Sequence, residues 1–526
     1  MHRRAGTAAN ATTTRAGWWA AVAGLVAGLA GLAVADLLAG LLWPAGSPVS
    51  AVGETIIGLL PASLVNWGKD VLGTADKPVL LAIIAVFVLL VSGMAGALER
   101  RRNAGGIVFA VLAAIGGAAV LSRPNATIFS ILPTILGLGV AYLILRQLIG
   151  RLARWYPRRR HRDDAAGAAV HQARRSFLGL TAFVGAGAVI GAIAGRALSA
   201  AANAALSARS ALRLPGATVP APPIPPGADL GVADLSPYVT PNADFYRIDT
   251  ALQVPVINPE NWSLRVLGMV ENEISITFDE LLAKPLVEHL VTLCCVSNEV
   301  GGDLIGNAAW LGYPIREVLA QAKPRPGADM VLSRSHDGFT AGTPLEVLTD
   351  PHREALLAVG MNGEPLPLEH GFPVRMVVPG LYGYVSATKW VTELKVTTFE
   401  DDYGYWTPLG WSDRGPIKLS SRIDTPRGST VDAGVVAVAG VAWAQHTGIS
   451  KVEVRVDGGA WQQAKLAATT GPDSWRQWRV SWQATRGQHT LTVRATDTNG
   501  NLQLEQSAPP QPDGATGWHS IAVTVR

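Results

Sequence analysis

Two stretches of the chain hold residue types that can do chemistry together. The first is Leu293-Cys294-Cys295-Val296-Ser297-Asn298-Glu299-Val300-Gly301-Gly302, followed by Trp310-Leu311-Gly312. Its two cysteines are the only ones in the chain. Buried cysteines ordinarily pack as small hydrophobes, and adjacent ones can close a strained disulfide. A thiolate is also a ligand for a soft or high-valent metal. Residue types alone leave these readings open. Two adjacent cysteines do exclude a disulfide scaffold and any four-cysteine zinc site.

The second stretch runs His370-Gly371-Phe372-Pro373-Val374-Arg375, Pro379-Gly380 and Ser386-Ala387-Thr388-Lys389-Trp390. A His, an Arg and a Lys within 20 residues, set among Gly and Pro, suit an anion cradle. A solvated basic loop is the plainer reading. Met376, Val377 and Val378 directly after Arg375 favour burial, and a buried basic cluster needs an anionic partner.

These motifs resemble the sulfite oxidase family of molybdenum-cofactor enzymes. Cys295-Val296-Ser297-Asn298 fits the family's Cys-x-(Gly/Ser)-Asn, whereas Cys294 puts Ser where Asn is needed. His370 to Arg375 and Lys389-Trp390 fit the second family motif, and Thr240-Pro241-Asn242 with Phe245-Tyr246-Arg247 fits an upstream one. The likeness spans about 240–526. It implies molybdenum held by a single molybdopterin, with Cys295 as the protein ligand to the metal. It implies that Tyr246, Arg247, Asn298, His370, Arg375, Ser386, Thr388 and Lys389 hold the cofactor, and that Cys295, Arg247 and Trp411 serve the reaction. The chemistry implied is two-electron oxygen-atom transfer. Three departures stand out. Val300 occupies the place of a second Arg, Asp249 the place of a His, and Trp411 the place of the usual Tyr. Binding a small dianion needs paired cations, so sulfite is expected to be a poor substrate, and a small S- or N-oxide a better one. Another Arg, from the sandwich or Arg422 in Ser421-Arg422-Ile423-Asp424, would restore the missing charge.

These motifs need elements to hold them. Residues 241–415 mix short apolar alternations, Gly/Pro turns and few long helices, which reads as an α+β domain. Residues 416–526 read as strands only, including Val435–Val441, Lys451–Val456 and His489–Ala495, with turns such as Asp457-Gly458-Gly459. That spacing predicts an immunoglobulin-like β-sandwich, and the resemblance makes it a dimerisation domain for a homodimer. The Pro-rich 199–240 reads as a semi-rigid linker.

Residues 1–198 differ in kind. They carry 19 Lys and Arg against 7 Asp and Glu, a net +12, while the rest of the chain carries −8. Apolar runs at 17–43, 78–98, 104–122, 126–145 and 176–198 are each about the ~20 residues that cross a bilayer as a helix. Their Gly and Ala content suits close helix contact in lipid. Asp36 sits inside the first run, and 55–66 reads as an interfacial or re-entrant segment. The arginines before the first run, at 100–102 and through 146–175, place the N-terminus inside. Five crossings then put everything after 198 outside, on a multi-pass protein of the bacterial cell membrane. Arg174-Arg175-Ser176-Phe177-Leu178 resembles a twin-arginine export signal, which would imply export of a folded, cofactor-loaded protein. Small residues from Ser199 to Ala208 leave cleavage of the anchor open. The basic balance belongs to the membrane region and implies no nucleic-acid partner. None of the 10 histidines lies in a run, so no haem is expected within the crossings. Electrons must pass to or from a separate haem protein or quinone-linked partner. The alternative from another class is a cofactor-free, membrane-tethered binding or adhesion protein.

Overall fold

A computed structural model describes residues 2–526 apart from 43–46, 62–63, 65–66, 69–70, 73–74, 124–126, 157–163, 198–206, 252–253 and 427–429. Within helices it describes the backbone alone for residues 2–13, 40–42, 164–168 and 190–197. The chain divides into two units, Met1–Ala200 and Ala201–Arg526.

The first unit is helical: α1 His2–Leu42, α2 Pro48–Leu59, α3 Asp76–Arg102, α4 Gly105–Leu121, α5 Leu132–Trp155 and α6 Asp164–Ala197. Among the described residues, three helices are long and apolar enough to cross a membrane: Thr14–Ala39, Asp76–Arg102 and Ile128–Trp155. α4 is shorter and equally apolar, and the end of the fifth run lies outside the residues whose side chains are described. The segment expected to be interfacial starts inside α2, which Pro48 opens and the Ser47 hydroxyl caps. Small residues let backbones touch. A Cβ on Gly24 would strike the Ser92 carbonyl, one on Gly96 the Ala20 carbonyl, and one on Gly137 would come within 2.5 Å of the Gly31 carbonyl. The large apolar side chains Ile83, Phe87, Leu90, Ile107 and Leu143 point outward. Packing small residues inside and large apolar ones outside suits lipid, where burying hydrophobes between helices gains little. Asp36 accepts a hydrogen bond from the Ser47 hydroxyl at 3.1 Å. In the twin-arginine-like stretch Phe177 is fully buried against Trp19 and Trp155, and Arg174 lies over the Trp155 ring. Arg158, Arg159, Arg160, Arg162 and residues 199–206 lie outside the described residues.

Among its described residues, the second unit contains four sheets. In the α+β part, β1 Ser263–Gly268, β2 Ile274–Thr277, β5 Met330–Ser335, β6 Thr340–Pro344 and β10 Val391–Thr397 form one sheet in the order β2-β1-β10-β5-β6. β3 Val287–Cys294, β4 Ile305–Pro314, β7 Leu356–Met361 and β8 Glu364–Pro365 form the other, and β9 Arg375–Val377 pairs with β7. β7 is a continuous apolar run because both of its faces are covered, and β3 is buried from Leu290 to Cys294. The C-terminal part is a two-sheet sandwich. One sheet is built on β11 Ser420–Thr425, β13 Gly434–Trp443, β17 Arg476–Ala484 and the short β16 Lys465–Leu466. The other is built on β14 Ile449–Val456, β18 Gly487–Asp497 and β19 His519–Val525, with the short β12 Thr430–Val431 and β15 Gln462–Gln463 at its edges.

The Pro-rich stretch differs from the spacer its composition suggests. From residue 207 onward it is a strap lying on the globular unit. Arg209 donates to the Leu366 and Pro365 carbonyls, Thr218 N–H to Leu286, and Leu230 N–H to the Gln477 side chain. Ala228 and Tyr238 are buried. Its lack of periodicity reflects backbone groups paired one by one with the domain, where regular structure would pair them in series.

Candidate active site

β3 carries its apolar run inward and stops at Cys294, so Cys295 is the first residue beyond the strand. A tight loop follows. Cys295 N–H donates to the Leu304 carbonyl at 2.9 Å, Asn298 N–H to the Cys295 carbonyl at 3.1 Å and Gly302 N–H to Glu299 at 2.9 Å. The Asn298 carboxamide oxygen closes the loop by accepting from Leu304 N–H at 2.9 Å. Gly301 makes the turn at φ +79, where a Cβ would strike the His519 ring. The two thiols part company: neither forms a disulfide, Cys294 joins the hydrophobic core, and Cys295 lines a cavity. Burial pushes the Cys294 thiol well up, with Cys295 adding to the effect, which keeps Cys294 protonated.

The basic residues converge on the same cavity through a second tight turn. Gly371 sits at φ +110 directly after His370, and a Cβ there would lie 3.2 Å from the Lys389 backbone and 3.0 Å from Arg375 Cβ. Only a residue without a side chain lets these segments approach so closely. His370 donates from Nε2 to the Asn242 carbonyl at 3.2 Å. Burial, then Arg375 and Lys389, hold its pKa down to about 3, so the ring is neutral. Lys389 Nζ pairs with Asp249 at 2.8 Å and also donates to the Glu369 carbonyl at 3.1 Å. Burial lowers its pKa to about 8, against the pull of Asp249.

Arg375 is the most telling residue. It is 5% exposed, donates only to the His370 and Met376 carbonyls, and lies over the Trp310 ring at 4.9 Å. Among the described residues no carboxylate lies within ion-pair distance of it, and burial lowers its pKa to about 10. A desolvated guanidinium lining a cavity without a carboxylate partner calls for an anion in that cavity. A phosphate-bearing cofactor beside a thiol fits this donor set.

The expected site residues are only partly brought together. Cys295, Tyr246, His370, Arg375, Lys389 and Trp411 all line the cavity. Burial raises the Tyr246 hydroxyl pKa, and the neighbouring thiols raise it further, so the phenol stays neutral. Arg247 is at the surface, paired with Asp249 at 3.0 Å. Asn298 is spent on its own loop. Ser386 donates to the Leu381 and Tyr382 carbonyls, and the Thr388 and Ser333 hydroxyls are 2.7 Å apart. The side chains of Asn298, Ser386 and Thr388 therefore do not line the cavity, because each satisfies backbone or core polar groups nearby.

The charge argument from the sequence needs correction at two points. Val300 does not line the cavity, since its loop turns it toward Gly517. Arg422 does not line it either. It is locked to Asp424 at 2.6 Å and to the Gly302 carbonyl at 2.6 Å. Asp249 does line the cavity, with its carboxylate held between Arg247 and Lys389.

Sequence reasoning missed the outer wall. Phe339, Tyr384 and Trp406 join Trp411 there, with Asp337 at the rim, hydrogen-bonded to the Ser335 hydroxyl. The 3₁₀ turn Thr407–Leu409 and Gly410 at φ +89 fold Trp411 back onto Trp406, with ring centroids 6.3 Å apart. The Tyr384 hydroxyl donates to the Ser412 carbonyl at 2.8 Å, setting its ring 6.0 Å from Trp411. The Asp337-Gly338 hairpin turn was readable as a turn, and nothing in it marked a site.

Comparison with known proteins agrees with this geometry. Residues 251–406 match the oxidoreductase molybdopterin binding domain, and residues 420–493 match the bacterial Ig domain. The chain is 32% identical over 344 residues to mitochondrial sulfite oxidase of Homo sapiens, covering 55% of this chain and 62% of that protein. It is 27% identical over 333 residues to NADH nitrate reductase 1 of rice, Oryza sativa subsp. japonica, covering 51% and 36%. A solved structure, the sulfane dehydrogenase SoxCD from Paracoccus pantotrophus, aligns with 54% of this chain and 81% of its own at 22% identity and a TM-score of 0.48. The chain thus spans about three-fifths of the length of the human enzyme it matches. An α+β domain with a thiol and a buried guanidinium on one cavity, followed by an Ig-like sandwich, defines a molybdopterin-binding oxidoreductase. Residues 251–406 match that domain, and the chain is similar to the sulfite oxidases.

Proposed function

We propose that the protein is a membrane-anchored oxidoreductase that carries out two-electron oxygen-atom transfer on a small S- or N-oxide, with sulfite a poor substrate. Arg375, buried in the cavity with no carboxylate partner among the described residues, carries this reading. A cofactor-free binding protein would leave that charge desolvated and unpaired, at a cost of several kcal/mol.

The cofactor would be a single molybdopterin bearing molybdenum, and when bound it supplies the two-electron redox chemistry. Cys295 offers the thiolate to the metal. Arg375 and Lys389 neutralise the phosphate, with Asp249 holding Lys389 in place. His370, fixed by Asn242 as a neutral ring, offers a hydrogen bond acceptor without adding charge. Tyr246, kept protonated, is a hydrogen bond donor next to Cys295. The tryptophans of the outer wall exclude water from the inner end.

The helical unit serves as the anchor, in keeping with three helices of spanning length and their outward apolar surface. On the arginine distribution, residues after 198 lie outside the cytoplasm. Domains then run 1–198, 199–240, 241–415 and 416–526, and the sandwich offers a surface for a homodimer. Electrons travel through a separate partner, a haem protein or a quinone-linked one. The test is metal and pterin analysis of the purified full chain, followed by a panel of S-oxides, N-oxides and sulfite with an artificial electron donor or acceptor. One molybdenum per chain and turnover of an oxide substrate are expected. A metal-free protein, or sulfite as the best substrate, contradicts the reading.

A further inference from the structure

The cavity is two-ended. Its inner end holds Cys295, His370, Arg375 and Lys389, all buried. Its outer end holds the half-buried rings of Phe339, Trp406 and Trp411, with Tyr384 behind them and the exposed carboxylate of Asp337. Among the described residues, the basic side chains lining the cavity are the inner three, and they are already committed. Lys389 is paired with Asp249, His370 is neutral, and Arg375 is the partner for the cofactor's anion. Among the described residues, a substrate entering past the wall therefore meets aromatic rings and the Asp337 carboxylate, while the Asp249 carboxylate is held by Arg247 and Lys389.

The rings form a continuous surface. Trp411 touches Trp406 at 73° and Tyr384 at 52°, and Tyr405 lies perpendicular to Trp406 with centroids 5.1 Å apart. Packing of this kind holds the rings in place, and Phe339, Trp406 and Trp411 line the cavity with their π-systems available to a ligand. Such faces attract cations, most of all soft, weakly hydrated ones, and a carboxylate in the same cavity adds to the preference. An apolar group would be satisfied by aliphatic walls and would gain nothing from Asp337. A small anion would be repelled by it.

We propose that the outer wall formed by Trp406, Trp411 and Tyr384, with Asp337, is a recognition site for an organic cation of the quaternary or tertiary ammonium class, and that the substrate carries such a group. This rests on the cofactor-site reading above and names the substrate class for the same cavity. The specificity residues are Trp411 and Asp337, neither of which holds the cofactor.

The test uses the full chain purified in detergent with its molybdenum content measured. Calorimetric titration compares choline, its uncharged isostere 3,3-dimethylbutan-1-ol, and sulfite. Choline is expected to bind one per chain, at least about tenfold tighter than the isostere, and sulfite not to displace it. Trp411→Ala and Asp337→Asn should each weaken choline roughly 3- to 30-fold, the range of a cation–π or single-charge contact. Trp411→Phe should retain most of the affinity, which separates lost recognition from lost folding. Equal binding of the isostere, displacement of choline by sulfite, or no choline binding by molybdenum-loaded protein overturns the inference and leaves the cofactor reading standing. Protein free of molybdenum when made in molybdate-replete cells overturns the cofactor reading itself, and this inference falls with it.

Discussion

Arg422 donates from Nη1 to the Gly302 carbonyl at 2.6 Å, so the first strand of the C-terminal sandwich grips the loop that begins at Cys295. The same guanidinium pairs with Asp424 and reaches Ser236, while His519 fills the space beside Gly301 and accepts from Ile423 N–H at 3.0 Å. The sandwich is thereby a mould for the thiol loop as well as a neighbouring domain.

Arg422→Ala tests that relationship. It leaves Asp424 buried without its cation, and breaking a buried pair in this way costs about 3–5 kcal/mol. Urea denaturation followed by tryptophan fluorescence should show a loss of that size. A stability within about 1 kcal/mol of the unmodified protein would show that the sandwich does not hold the loop.

Asp473 gives a pH signature for the junction between the α+β part and the sandwich. Its carboxylate accepts from His289 on β3 at 2.9 Å and from His446 at 3.2 Å. Burial pushes its pKa up, but the two imidazoles outweigh this and hold it at about 2, below the ordinary 3.8. A depressed carboxylate pKa contributes stability above the unfolded value and loses it as pH falls toward the folded one. Asp473→Asn should therefore be about 2 kcal/mol less stable at pH 7, with the difference shrinking between about pH 4 and pH 2. A deficit that stays constant through that window would contradict the assignment.

Gly371→Ala should separate the two halves of the anion cradle. The added Cβ meets the Lys389 backbone and Arg375 in a conformation that costs a side chain about 1–3 kcal/mol. Molybdenum content per chain should fall several-fold, with circular dichroism unchanged. Full metal loading in the variant would show that the close approach of these segments is not needed.

The motifs legible in the sequence were short and local. Cys295, His370 and Lys389 fall at tight turns, and Arg375 opens β9 just after one, with Gly and Pro residues announcing them. What the motifs did not carry was side-chain direction. Asn298, Ser386 and Thr388 lie within the motifs yet turn to backbone or core groups, and Val300 is swung away by the left-handed Gly301. The outer wall was illegible for another reason. Asp337, Tyr384 and Trp406 come from separate turns, and only the tertiary fold brings them to one opening. The Pro-rich strap was misjudged because proline content reports backbone stiffness and says nothing about what the stiff segment lies against.

Topology is tested by a reporter fused after residue 230. It should be active only outside the cytoplasm, and cytoplasmic activity would reverse the orientation. Replacing Arg174 and Arg175 by Lys should block export if the twin-arginine pathway reads the motif. Unimpaired export would make the pair a topological flank and an aromatic contact for Trp155.

The most direct measurement is X-ray absorption at the molybdenum edge of the full chain, comparing the unmodified protein, Cys295→Ser and Cys294→Ser. The account predicts that Cys295→Ser loses one sulfur ligand and its turnover while keeping the metal, because Arg375, Lys389 and the rest of the cradle still hold the pterin. Cys294→Ser should keep the full sulfur count. Loss of the sulfur ligand in Cys294→Ser, or an unchanged sulfur shell in Cys295→Ser, would contradict it.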